Sequence, residues 1–303
     1  MKKFLLNFSC FLTGLLVLDF IIGLGAQYLV FHAKGGETWL NRYICHQMKE
    51  ECIILGSSKG KHHYDANIIA DNLKMTCWNA SKGGNGIILM YGRYKMLSAR
   101  YTPKILLYDV CTEYDLLNRD NHQFLGALRL DYEEPSIDSI FWNVDKNERF
   151  KMMSHCYRYS SQWLTMLSDN VHPSHIANNG YEPLNGKMTH KPKKKERKMQ
   201  KMQYDPLKLY YLERLIKDCK ANHTKLIFTI SPKFNKTNDD EYEPLKKMCA
   251  KYQVPLLNHF CDKDFVTTLD YFSDSVHLNR TGATKYTKKI VDEVKRVMAN
   301  KPL

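Results

Sequence analysis

Residues 52–60 read CIILGSSKG. Four consecutive apolar residues, Cys52 to Leu55, make a short strand run of the kind covered on both faces. The run stops at Gly56-Ser57-Ser58-Lys59-Gly60, and Ile68, Ile69 and Leu73 then recur at helical spacing. Strand, glycine-serine turn and helix are the opening of a parallel βαβ unit. Further runs extend the pattern: Lys74–Trp78, Lys104–Val110 (KILLYDV), Lys225–Ile230 (KLIFTI) and Val254–Leu257 read as strands. Helical stretches alternate with them at Ile87–Ala99, Pro206–Ala221, Tyr242–Tyr252 and Thr281–Met298. A helix-like segment around Trp39–Met48 precedes the first strand, and Ser154–Leu167 reads as helix within a less regular middle stretch. The expectation is an α/β protein with a parallel sheet, residues 50–300, interrupted by an insertion at about 116–204. No internal repeat is present.

Enzymes of this architecture carry their chemistry on loops at the carboxyl ends of the strands, and three loops there stand out. Ser58 lies in the tight turn after the first strand, where a hydroxyl is exposed and backbone N–H groups can meet an anion. Asp274-Ser275-Val276-His277-Leu278-Asn279 lies before the last helix, with Gly282 just beyond. His277 can take a proton from a serine hydroxyl, and Asp274, three residues earlier, can orient the ring and stabilise its charged form. The glycine-rich loop Asn79–Gly86 follows the second strand. Gly84 there can offer an N–H to a developing oxyanion, with the Ser58 amide as a second donor. Beside it Asn85 is a candidate substrate-binding residue, as is Arg158, which sits between Tyr157 and Tyr159 in the insertion.

Taken together, these blocks resemble the SGNH hydrolases, also called the GDSL esterase/lipase family. Gly56-Ser57-Ser58 stands where that family has Gly-Asp-Ser, with Ser57 in place of the aspartate. Gly84 matches the glycine of its second block, and Asp274 and His277 match its closing Asp-x-x-His. The Gly-Ser-Ser form is similar to membrane-anchored members of the superfamily, the D-alanine transfer proteins of teichoic acid assembly and the alginate-type O-acetyltransferase relatives among them. The resemblance covers about residues 50–125 and 205–298. It implies a flavodoxin-like three-layer α/β/α sandwich with a central parallel sheet. It also implies a Ser58–His277–Asp274 triad acting as esterase or O-acyltransferase on an acylated cell-envelope glycan or similar ester, with no cofactor and no metal. One block departs: where the family carries Gly-x-Asn-Asp, with asparagine as an oxyanion donor, this chain reads Asp109-Val110-Cys111-Thr112-Glu113-Tyr114-Asp115. A non-catalytic binding protein on the same scaffold is the alternative this departure supports. Gly56–Gly60 also satisfies the G-x-S-x-G of α/β-hydrolases. A serine after the first strand, and an acid three residues from the histidine, fit that order poorly.

Ahead of the α/β stretch, Phe4–Phe31 is apolar apart from Asn7, Asp19 and Gln27, and about 20 apolar residues suffice to cross a bilayer. Residues 1–33 are therefore read as a transmembrane anchor or signal segment, with 34–49 as a linker and helix. An acid near the centre of a span costs roughly 2.5–3.5 kcal/mol, which the surrounding apolar residues can offset. Lys2 and Lys3 before the segment favour a cytoplasmic N-terminus and an extracytoplasmic α/β domain. Mean hydropathy over the whole chain is −0.47, which excludes a multi-span membrane protein. Nine scattered cysteines form no CxxC or zinc spacing, and His62-His63 with His32 or His46 is not a metal set. The net charge of +13 invites a polyanion-binding reading. Yet residues 187–201 hold eight basic residues and one acid, a net of +7, about half of the total. No nucleic-acid-binding motif accompanies the run, so no nucleic-acid partner is expected.

Overall fold

The computed structural model describes residues 1–191 and 202–300; most of the basic run, from 192 to 201, lies outside the described residues. In chain order the helices and strands are α1 (Lys2–His32), α2 (Gly36–Arg42), β1 (Cys52–Gly56), α3 (Ser58–His63), α4 (Ala66–Leu73), β2 (Cys77–Asn79), α5 (Ile87–Ser98) and β3 (Ile105–Asp109). Then come α6 (Asp138–Val144), α7 (Glu148–Lys151), α8 (His155–Tyr159) and α9 (Trp163–Val171). The chain returns to α/β alternation with α10 (Pro206–Ala221), β4 (Lys225–Ile230), α11 (Glu243–Tyr252), β5 (Leu256–Asn258), α12 (Lys263–Val266) and α13 (Arg280–Met298). Two compact units result: Met1–Gln47 with Asn121–Ile176, and Met48–Asp120 with Ala177–Leu303.

The second unit is a five-stranded, all-parallel sheet in the order β2-β1-β3-β4-β5 with helices on both sides, the three-layer α/β/α arrangement expected. Every residue of β1, β2 and β3 is buried. Along the strands alternate side chains go to opposite faces. Ile54, Ile105, Leu107, Ile227 and Leu257 join α4 and α13 residues such as Ile69, Tyr286 and Ile290 in one core. On the other face α5 and α10 pack together, with Tyr91 against Tyr211. From β1 the chain winds outward to β2 and then crosses back to β3, so the winding reverses between β1 and β3. That reversal opens a crevice at the strand ends, where open α/β sheets bind ligands.

Element boundaries shift for local reasons. Lys74 is not in a strand: it closes α4 in the left-handed conformation, its N–H bonded to Ala70 O, and β2 starts only at Cys77. Gln253 ends α11 the same way, delaying β5 to Leu256. The helix expected over Ser154–Leu167 is broken in two. Ser160 Oγ bonds back to Tyr157 O, a side-chain competition that serines bring to helix interiors. The segment expected as helix over Trp39–Met48 runs from Gly36 to Arg42 and then widens into a π-type turn at Tyr43–Gln47.

In the first unit, α1 is 31 residues long with a mean hydropathy of 2.1 over its most apolar stretch, long and apolar enough to cross a membrane. Its one acid has partners. Asp19 Oδ1 accepts from Ser154 Oγ (2.7 Å) and Cys156 N (2.9 Å), and Oδ2 from His155 N (2.8 Å) and His155 Nδ1 (3.0 Å). One turn on, Gly23 leaves the space the His155 ring fills; a Cβ there would stand 2.4 Å from its Cδ2. Ala26 and Val30, further along the same face, pack with Tyr159 of α8 and Met166 of α9. All nine cysteines are free thiols.

Candidate active site

Ser58 is the first residue of α3, reached through Gly56 and the fully buried Ser57. Gly56 has φ +158, and a Cβ on it would meet Asp109 O at 2.9 Å, so β1 ends pressed against β3. His277 arrives from a loop pinned on several sides. Ser273 N donates to His277 O, Leu278 N to His63 Nε2 at 2.9 Å, and Asn279 N to Tyr271 O. Asn279 then caps α13 by accepting from Gly282 N. Gly282 itself admits no side chain, since a Cβ would lie 2.2 Å from Tyr271 O.

The structure brings Ser58, His277 and Asp274 into one chain of hydrogen bonds. Ser58 Oγ lies 2.8 Å from His277 Nε2, and His277 Nδ1 lies 2.9 Å from Asp274 Oδ2. With the Nδ1 proton held by the carboxylate, Nε2 is the acceptor for the Ser58 hydroxyl. Asp274 Oδ1 also accepts from the Val276 and His277 amides at 2.7 and 2.9 Å. Partial burial opposes its charge, but the bonds from His277 and the Val276 amide outweigh burial and hold the carboxyl down to about 2. Asp274 is therefore an anion at neutral pH.

The glycine loop lies against the serine. A Cβ on Gly83 would sit 3.8 Å from Ser58 Cβ, and Lys82 N donates to Gly56 O. Gly84 has φ +71, the left-handed region that glycine alone enters without strain. Its amide makes no backbone hydrogen bond among the described residues, and the Ser58 amide is among the first in α3, where N–H groups lack intrahelical partners. Asn85 turns its side-chain amide back onto Gly83 O at 3.0 Å. Arg158 belongs to the first unit, where its guanidinium bonds Glu133 and Met152 O and lies over the Tyr132 ring.

The stretch after β3 offers a buried acid instead of an asparagine. Asp115 accepts from Tyr108 OH and Cys111 N. Burial pushes its pKa up to about 6 against these bonds and one from the Ile87 amide, so it braces the start of α5 behind the glycine loop. Beneath Ser58 lies a second buried group. Asp109 accepts from Tyr64 OH (2.7 Å), Ser231 N (2.9 Å) and Ser231 Oγ (3.1 Å), with the Lys59 ammonium nearby, over the Phe260 ring. Met188, at the start of the basic run, donates its amide to Phe272 O, two residues before Asp274.

His63 was visible in the sequence only as half of a His-His pair, yet it is the fully buried acceptor that steadies the His277 loop. Burial first, then the neighbouring His277, Lys59 and His62, hold its pKa well below the usual histidine value. The unfolded chain takes up that proton near pH 6.5, so stability falls as pH drops below 6.5, by up to about 1.4 kcal/mol per pH unit. His259 acts oppositely. Burial opposes its charge, but Glu293 and Asp262 outweigh burial and raise its pKa, so its contribution is full in acid and fades as pH rises through the raised value. Comparing His63→Gln with wild type cancels the His259 effect. Urea midpoints should fall more steeply between about pH 7 and pH 5 in wild type than in the variant; parallel curves would exclude His63 as the titrating group.

No family model matches the chain, and no curated protein matches it. Solved structures similar to it include the acetyl xylan esterase AlAXEase, at 13% identity with a TM-score of 0.41, covering 80% of this chain and 99% of that one. A family two carbohydrate esterase from Clostridium thermocellum is similar at 9% identity with a TM-score of 0.41; 83% of this chain is covered, and 65% of that one. A protein described as a GDSL-like lipase from Parabacteroides merdae is similar at 12% identity, TM-score 0.38, with 80% and 94% of the two chains covered. The overlap is coarse, and the chemistry of the site rests on its own residues.

Proposed function

We propose that the chain is an SGNH-type serine esterase or O-acyltransferase, anchored by α1, with its α/β unit on the extracytoplasmic side. The observation that carries this reading is the hydrogen-bonded series Ser58–His277–Asp274 at the carboxyl end of the sheet. In this reading Ser58 Oγ attacks the ester carbonyl as its proton passes to His277 Nε2. The tetrahedral oxyanion takes hydrogen bonds from the Ser58 and Gly84 amides. Collapse expels the alcohol, which leaves with the proton from His277, and an acyl-Ser58 ester remains. Water, or an acceptor hydroxyl, then attacks that ester with His277 as base, and Ser58 regains its proton. Asp274 stays charged throughout and stabilises the imidazolium.

The resemblance to membrane-anchored family members favours an acylated cell-envelope glycan or its precursor as substrate. Two amide donors without a third from asparagine suggest slow turnover, since one donor is worth about 10²–10³ in kcat. The same lack favours, as a second reading, an acyl-glycan binding protein that does no chemistry. A fluorophosphonate probe separates the two: wild type should label at Ser58, and Ser58→Ala and His277→Ala should not. Equal labelling of wild type and Ser58→Ala would overturn the nucleophile assignment.

A further inference from the structure

The first unit buries residues such as Leu128, Phe141 and Met166, yet it leaves a second set of large apolar side chains on its surface. In α9 the inward face is Met166, Asp169 and Asn170: Asp169 accepts from Thr38 N at 2.8 Å, and Asn170 Nδ2 donates to Leu29 O of α1 at 2.9 Å. The outward face holds Leu164, Leu167 and Val171, three positions within one helical stripe, and Leu164 and Val171 are 84% and 67% exposed. Phe150 at 69% and Met153 at 72% extend the exposure at the end of α7 and just beyond. They immediately precede Ser154–Cys156, the residues that bind Asp19.

Position along α1 gives these side chains a depth. At 1.5 Å per residue, 31 residues reach about 46 Å, longer than the roughly 30 Å hydrocarbon core. About 20 residues counted from Phe4, just after the charged Lys2 and Lys3, end near Gly23. Asp19 then lies inside the apolar layer, and Leu24 to Phe31 lie at its edge. The turn that supplies four donors to Asp19 must reach the same depth, and backbone at membrane depth is tolerated where protein satisfies it. Met153 and Phe150 are beside that turn. Leu164, Leu167 and Val171 belong to the helix bonded to Leu29, and exposed Leu24, Tyr28 and Phe31 continue the surface on α1 itself.

We infer that α7 to α9 form a wedge seated in the lipid bilayer, in the leaflet at the C-terminal end of α1. Phe150 and Met153 enter deepest, and the Leu164–Val171 stripe lies at the headgroup–acyl boundary. The inference rests on α1 as a membrane span, and it goes further: α7 to α9 make a second lipid-contacting element. The occupant of the apolar face is lipid because that face continues the exposed apolar surface of α1, and because polar bonds tie the other side of α8 and α9 to α1 and α2: His155 and Cys156 to Asp19, Asn170 to Leu29 O, and Asp169 to Thr38 N.

The test uses the full chain reconstituted in phosphatidylcholine–phosphatidylglycerol vesicles. A fluorescent acridonyl side chain is placed, in separate proteins, at Leu12, Leu164 and Lys247. Quenching is read with nitroxide-bearing lipids and with aqueous iodide. The wedge predicts lipid quenching at Leu164 comparable to that at Leu12 and several-fold stronger than at Lys247, with iodide showing the reverse order. Lipid quenching at Leu12 but only iodide quenching at Leu164 overturns the wedge and leaves the span standing. Shielding of Leu164 from both quenchers means that protein, a second copy included, covers the face, and also overturns it. No lipid quenching at Leu12 or Leu164 removes the span and the wedge together. Because each labelled position is surface-exposed, the label displaces no core contact; Phe150, labelled alone, repeats the test at the other end of the patch.

Discussion

Ser58→Ala should lower kcat on an aryl acetate by about 10⁴- to 10⁶-fold, and His277→Ala should lower it about equally. The two losses do not add. Each removal breaks the same proton path, from Ser58 Oγ to His277 Nε2 across 2.8 Å, so the double variant should be no slower than either single one. Asp274→Asn should cost less, about 10²–10⁴. A buried triad acid is worth about 10⁴ because its loss leaves the imidazole in the wrong tautomer. The Asp274 side chain is 54% exposed, so water can take over part of its charge stabilisation. Its tie to the Val276 and His277 amides also makes it a loop brace, and Asn retains an oxygen that can accept those bonds. The expected order is therefore Ser58 and His277 together, then Asp274. Stopped assays on purified variants at matched protein concentration give that order directly. A Ser58→Ala protein with unchanged kcat would exclude the hydroxyl from the chemistry.

The elements that were legible in the sequence share one property: their signal is local. CIIL followed by GSS marks a two-face-buried strand and its turn within nine residues. Asp274 and His277 need only their own spacing, and the left-handed glycine needs only its loop. Lys74 shows the limit even there, because its apolar neighbours suggested strand while Lys74 itself closes the preceding helix. What the sequence hid depends on partners far away in the chain. His63 gains its role from Leu278 N, 215 positions on, and nothing beside it announces that contact. Asp109 reads as the end of a strand, although its carboxylate gathers Tyr64 and Ser231 under the site. Arg158 between two tyrosines looked free to bind a ligand; Glu133, 25 residues earlier, engages it. Asp19 looked like a flaw in an apolar helix because its four donors lie some 135 residues downstream.

That last contact makes Asp19→Leu an informative change, because it should move two properties in opposite directions. Removing an acid from the middle of an apolar segment favours insertion of α1, by roughly 2.5–3.5 kcal/mol on an insertion scale. The same change strands Ser154 Oγ, the His155 and Cys156 amides and His155 Nδ1, all of which donate to that carboxylate. A buried donor left unsatisfied costs about 1–3 kcal/mol. With some of the four rebonding locally, the first unit should lose about 3–5 kcal/mol, an estimate built on that per-donor range. Asp19→Asn separates charge from geometry, since its amide oxygen still accepts from two of the donors while its NH₂ faces the others. Membrane extraction and protease protection read the two effects apart. The leucine variant should stay at least as firmly in the membrane as wild type, while cleavage within residues 148–176 becomes much faster. The asparagine variant should fall between the two in cleavage. If cleavage stays at the wild-type rate in the leucine variant, Asp19 does not hold Ser154–Cys156 in the folded protein. If instead extraction becomes easier, the acid serves insertion itself, and the apolar character of α1 is not what retains the chain.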